Sequence, residues 1–103
     1  MLSPTSRSLK KLREEGWEPW VVEVFNHFTK TRRDLYGIAD ILAYKNHETL
    51  LVQATSGSNV AARVKKIEKA EHIDGLRDAG FRIEVWGWRK TKNRWVCRVV
   101  DCS

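Results

Sequence analysis

Three polar side chains interrupt otherwise apolar runs: Asp40 in "GIADILAY", and Gln53 and Thr55 in "LLVQAT". An ionised carboxylate in such a run is costly unless a partner or a cation answers it. Side chains alternate along a strand, so Gln53 and Thr55 point to one face, and an antiparallel neighbour brings Asp40 beside them. One carboxylate and one amide oxygen can hold Mg²⁺, which takes few protein oxygens and keeps several waters for phosphate and nucleophile. An ion so held activates water and stabilises charge on a phosphate. The competing reading of Asp40 is a structural carboxylate satisfied by hydrogen bonds.

The elements that must position these residues follow from the patterning. Ser3 before Pro4 marks a helix start, with Leu9 and Leu12 on one face and Gly16 as a stop, so helix one is expected over roughly Pro4 to Glu15. "PWVVEVFNHF" is rich in β-branched and aromatic residues and reads as a strand from about Trp20 to Phe28, after which a polar stretch turns the chain. "GIADILAY" and "ETLLVQAT", joined by the short "KNHE", are expected to pair antiparallel at the centre of the sheet. Ser56, Gly57 and Ser58 supply a turn and cap, and Val60, Val64 and Ile67 form the buried stripe of helix two. Gly75 is read as interrupting that helix, with a short piece capped by Asp74 and ending at Gly80. "FRIEVWGW" and "RWVCRVV" close the chain as a hairpin. The order α-β-β-β-α-β-β predicts an α/β (α+β) fold with one mixed sheet flanked by helices, in a single domain spanning residues 1–103.

Nineteen Lys and Arg against thirteen Asp and Glu leave a net charge of +6, which favours a polyanionic partner. The cations cluster in "SRSLKK", "KTRR", "RVKKIEK" and "RKTKNR". Arg32, Arg33, Arg63, Lys65, Lys66 and Lys69 are the candidate nucleic-acid contacts, and a solvated basic surface is the plainer account of them. Two cysteines, Cys97 and Cys102, make neither a zinc site nor a disulfide framework, and His27, His47 and His72 lack ligand spacing. With no apolar run near the roughly 20 residues that span a bilayer, and no signal-like start, a soluble cytoplasmic protein is expected. Trp86 and Trp88 alternate with Phe81, Ile83 and Val85, which leaves at least one of them to stacking on bases or, on the plainer account, both to core packing or a dimer seam.

The element order, with Asp40 on the second strand and Gln53 and Thr55 on the third thirteen and fifteen residues later, resembles the PD-(D/E)xK nuclease superfamily, in particular its small Holliday-junction-resolvase-like and phage-type members. The resemblance runs from roughly Leu9 to Trp88. Asp40 takes the family's Asp position, Gln53 the acidic position and Thr55 the Lys position of the acidic-x-Lys triplet. It implies a restriction-endonuclease-like αβββαβ core with an extra C-terminal strand, a Mg²⁺ or Mn²⁺ cofactor, and hydrolysis of branched or structured DNA by a homodimer. Asp40, Gln53 and Thr55 would then be catalytic, with Asp40, Gln53 and Asp34 as metal ligands.

Two departures alter the chemistry. Gln53 removes a negative charge from the ligand set, and Thr55 supplies no cation where the family Lys orients water and stabilises charge. Lys66 or Arg63 of helix two would have to reach back in its place; otherwise they are a solvated helix face. Asp34 is read equally as a ligand or a turn cap, and Glu14 and Glu15 either as helix-one acids completing the site or as an exposed helix end. Three classes therefore remain: a metal-dependent nuclease, a catalytically weakened nuclease-like DNA-binding protein, and a small structural or interaction protein.

Overall fold

In the computed structural model, which describes residues 2–103, the Ser3 hydroxyl accepts the Ser6 N–H at 3.1 Å and starts α1 (Pro4–Glu14). Ser8 and Leu12 are its buried stripe. Gly16, at φ +89°, reverses the chain into β1 (Glu18–Val21), a conformation that costs glycine least. β4 (Ile41–Lys45) and β5 (Glu48–Ser56) form the expected hairpin, closed by Asn46 and His47, with Asn46 at φ 55°. After a 3₁₀ turn at Gly57–Asn59 come α2 (Val60–Glu68) and α3 (Ile73–Asp78), then β6 (Arg82–Thr91) and β7 (Arg94–Asp101) as the closing hairpin.

The five-stranded sheet runs β1-β4-β5-β6-β7, mixed because β6 is parallel to β5 while every other pair is antiparallel. It is an α+β arrangement with an apolar core on each face. Leu12 of α1 and Trp17 pack with Ile41, Ala43, Leu50, Val52 and Trp86 on one side. On the other, Val60, Ile67, Ile73 and Leu76 pack with Ile38, Leu51, Ile83 and Val85. No helix among the described residues is long and apolar enough to cross a membrane.

The structure differs from the expectation in two places and decides a third that the sequence left open. The strand expected from Trp20 to Phe28 is two strands. β1 follows β4 only to the Val21↔Ile41 pair, and the Val22 N–H donates to the Asp40 carbonyl at 2.9 Å. Beyond it the facing chain is a tight loop, bridged from Leu35 to Ala39, with no ladder to offer. Residues after Glu23 therefore pair with their own return: β2 (Val24–Asn26) with β3 (Thr31–Arg33), a separate two-stranded sheet. Gly75 does not interrupt α2 but lies inside α3; the break falls at residues 70–72, which lets Ile73 and Leu76 reach the same core as Ile67. Trp86 is buried under α1, and Trp88 is half-buried with its indole N–H donating to the Ser8 hydroxyl at 2.9 Å, so both belong to packing.

One close approach sets how α2 leaves the sheet. A Cβ on Gly87 of β6 would lie 2.1 Å from Val60 Cγ2 and 3.4 Å from the Gly57 Cα. Val60 is fully enclosed and cannot yield. Gly87→Ala is expected to destabilise the fold by about 1–3 kcal/mol through overpacking. Together with Val60→Ala the two losses should sum to less than additive, because the smaller side chain makes room for the added methyl. Urea unfolding midpoints of the two single variants and the double variant check this.

Candidate functional site

The β4–β5 ladder ends at the Ile41–Val52 pair, and Asp40, the next residue, is held beside Gln53 and Ala54 of β5. Asp40 lies one residue before β4, outside the regular ladder, and its N–H donates to the Val52 carbonyl at 3.1 Å. Its carboxylate accepts the Ala54 N–H at 3.2 Å on Oδ1 and the Gln53 Nε2–H at 3.3 Å on Oδ2. Gln53 and Thr55 alternate on the same face, and all three side chains are about 95 % buried. Gln53 Oε1, buried, has no hydrogen-bond partner.

These groups line an open groove of about 790 Å³ at the C-terminal end of β5. Its rim is made by the start of α1 (Ser3, Pro4, Thr5), the feet of the β2–β3 hairpin (Glu23, Arg32, Asp34) and one face of α2 (Arg63, Lys66). Lys66 Nζ lies 3.5 Å from Asp34 Oδ2, and Arg32 NH1 lies 3.6 Å from Glu23 Oε1. Asp34 thus faces the groove; the turn that follows it is closed by backbone, with Leu35 N–H donating to the Ala39 carbonyl at 2.8 Å.

Asp40, Gln53, Thr55, Asp34, Lys66, Arg63 and Arg32 are therefore brought together. Arg33, Lys65 and Lys69 are not on this lining: Lys65 and Lys69 sit one turn apart on another face of α2, and Arg33 projects from β3. Glu14 and Glu15 do not complete the site. They end α1 far from its groove-facing start and line a smaller groove of about 430 Å³ with Lys10, Lys11, Trp88 and Trp95. The acid that does arrive is Glu23, which sequence reasoning missed, because only the departure of the chain from β1 turns it toward Asp40.

The electrostatics separate Asp40 from the other buried acid. Glu84 is as deeply placed, but it accepts the Trp86 indole N–H at 2.9 Å and an Arg82 guanidinium N–H at 3.0 Å. Asp40 has no cation at ion-pair distance among the described residues. Burial, with Glu23 and Asp34 adding repulsion, pushes its carboxyl up to about 6 against the pull of the Ala54 N–H bond. Among the described residues no three His, Cys, Asp or Glu side chains stand close enough to form a ready cage for a metal. The donors are one buried carboxylate and one orphaned amide oxygen, with two further carboxylates and three cations on the rim: chemistry that suits a hard cation shared with a phosphate.

A folded-state value near 6 lies above the ordinary carboxylate value near 4, so the folded state holds this proton more tightly than the unfolded chain does. The stability it contributes is full below about pH 4 and lost as pH rises to about 6, beyond which the curve is flat. Asp40→Asn should remove that slope, and its stability relative to the native sequence should rise by up to about 3 kcal/mol between pH 4 and pH 7. Urea titrations of both proteins across this range check the difference, in which the other carboxylates cancel.

No protein-family model matches the chain, and no curated protein or solved structure matches it significantly.

Proposed function

We propose that this chain is a nuclease-like protein of the PD-(D/E)xK type, a divalent-metal-dependent endonuclease whose substrate is branched or structured DNA. The observation that carries the reading is the convergence of Asp40, Gln53, Thr55 and Lys66 on one groove, with a buried uncompensated carboxylate and an orphaned amide oxygen at its floor. Support for a restriction-endonuclease-like arrangement comes from the frame: α1 across one face, β1, β4 and β5 antiparallel, and helices crossing over to the parallel β6.

The residues fit Mg²⁺ or Mn²⁺. All candidate donors are oxygens, Asp40 lacks a cation, and Gln53 Oε1 lacks a partner; Asp40 and Gln53 would hold the ion, with Asp34 on the rim beside them. When bound, such an ion stabilises charge on the scissile phosphate and lowers the pKa of the attacking water. The chain's own groups do the rest. Arg63 and Arg32 bind the phosphates on either side of the scissile one. Thr55 offers a hydroxyl on the same face as Gln53, and Lys66 brings the ammonium that Thr55 cannot, from the helix instead of the strand. Two symmetric cuts in a four-way junction call for two copies, so a homodimer is the working form.

One observation favours a second reading, a binder that does not cut: the position beside Gln53 holds a hydroxyl, and Lys66 is turned toward Asp34. Cleavage separates the two. With Mn²⁺ or Mg²⁺ the native chain should nick a four-way junction, Asp40→Ala should abolish nicking without loss of fold, and Lys66→Met should slow it by about 100-fold. If the native chain binds the junction but never nicks it, while Gln53→Glu with Thr55→Lys does, the non-cutting reading holds. If neither protein nicks DNA and Asp40→Ala leaves Mn²⁺ binding unchanged by calorimetry, the nuclease-like reading is lost.

Binding itself tests the rim. Arg63→Ala with Lys66→Ala should flatten the dependence of log K on log salt by about two units, one for each phosphate that the removed cations neutralise. Lys65→Ala with Lys69→Ala reports whether the contact surface extends beyond the groove face of α2.

A further inference from the structure

The β2–β3 hairpin stands apart from both cores. Its six strand residues are all exposed, it pairs with nothing but itself, and a two-stranded ribbon of this length is marginal in water. Its turn is nevertheless built. The Asn26 side-chain oxygen accepts the N–H groups of Phe28 at 2.9 Å and Thr29 at 3.2 Å, the Thr29 and Thr31 hydroxyls bond at 2.7 Å, and Lys30 takes φ 55°. This turn holds the Phe28 ring 98 % exposed at the tip. A large apolar ring presented so completely by an ordered turn has no packing role in this chain.

The surroundings say what the ring meets. Lys30, Arg32 and Arg33 make the hairpin cationic, and Glu23 at its foot is already answered by Arg32. Phe25, cross-strand from Arg32 and 44 % exposed, stands edge-on to His27 at 4.9 Å. The feet of the hairpin, Glu23, Arg32 and Asp34, line the groove itself. Aromatic rings interleaved with cations are the chemistry of nucleobase stacking beside a phosphate track. Another exposed aromatic, Trp95, is already covered by the Arg7 guanidinium at 3.8 Å.

We infer that the β2–β3 hairpin is a probe for an unpaired nucleobase, with Phe28 stacking on a base exposed at a branch or gap while the connected phosphate lies in the Asp40 groove. This rests on the groove accepting a DNA phosphate, and it names the structural feature that the site selects. The reach follows from strand geometry. Phe28 is five residues beyond Glu23, so at about 3.3 Å per residue the tip lies at most about 17 Å from the groove. At about 3.4 Å per nucleotide along one strand, the stacked base lies at most about five nucleotides from the phosphate in the groove.

The test uses the full chain with Ca²⁺ in place of Mg²⁺, and measures fluorescence anisotropy on a forked DNA and on a fully paired duplex of the same sequence. Phe28→Ala should weaken fork binding about tenfold and leave duplex binding unchanged, and Phe28→Trp should restore the fork. 2-Aminopurine at the fork should be quenched by the native chain and not by Phe28→Ala. Equal weakening on both DNAs, or none on either, overturns the inference. So does a change in sedimentation on Phe28→Ala with DNA binding intact, which would assign the ring to self-association. Nicking of the junction is scored separately. Fork-selective weakening on Phe28→Ala without any nicking leaves the probe standing and the hydrolase reading fallen; Asp40-dependent nicking with Phe28→Ala silent does the reverse.

Discussion

The register of β4 on β5 is the constraint on which the groove depends. Because side chains alternate, a slip of β4 by one residue would carry Asp40 away from Gln53 and Thr55 to the opposite face, into the apolar layer beneath α1. Two features hold the register. The two-residue turn at Asn46 and His47 fixes the pairing of Lys45 with Glu48, and Ile41, Ala43, Leu50 and Val52 must all reach Leu12 and Trp86. Beyond Ile41 the regular ladder ends, and the Asp40 N–H and carbonyl still bond Val52 of β5 and Val22 at the end of β1. The carboxylate thus sits where the sheet frays into the groove, ordered by backbone on both sides.

That order comes with an unbalanced charge. Glu84 shows how this fold satisfies a buried acid that serves structure: an indole N–H and a guanidinium, both within hydrogen-bond reach. Asp40 receives only two N–H donors, while Glu23 and Asp34 add repulsion. Turning the Gln53 amide to satisfy its orphaned oxygen would set that oxygen against the Asp40 carboxylate. A cation within reach of both oxygens would answer the two defects together.

Much of this frame is written in local pattern. Helix one, the β4–β5 hairpin, the stripe of α2 and the closing hairpin all follow from capping, alternation and turn chemistry, and the alternation of Gln53 and Thr55 with Asp40 opposite follows in turn. What does not follow is set by distant neighbours. Residues 20–28 have the same β-rich pattern whether they form one strand or leave the sheet at Val21. The decision lies with the loop at Leu35–Ala39, which ends the partner strand. Glu23 enters the groove, and Phe28 stands at a tip, only through that decision. Likewise Gly75 reads as a breaker from sequence, whereas the demand that Ile67, Ile73 and Leu76 share one core places the break earlier.

The position of the cation is the least local feature. A Lys at position 55 would have been held by the strand, buried next to Asp40. Lys66 is half-exposed on a helix whose approach is set by the contact of Val60 with Gly87, more than 20 residues further along the chain. Its ammonium rests near Asp34 at 3.5 Å, a separation at which an exposed pair contributes little, at most about 1 kcal/mol. So weak a hold keeps Lys66 available. Any ligand that neutralises Asp34, or offers a phosphate oxygen closer than that carboxylate, turns the ammonium toward the groove floor without breaking a strong interaction. A strand lysine is positioned before its ligand arrives; on the proposed reading, the ligand itself would complete the arrangement here.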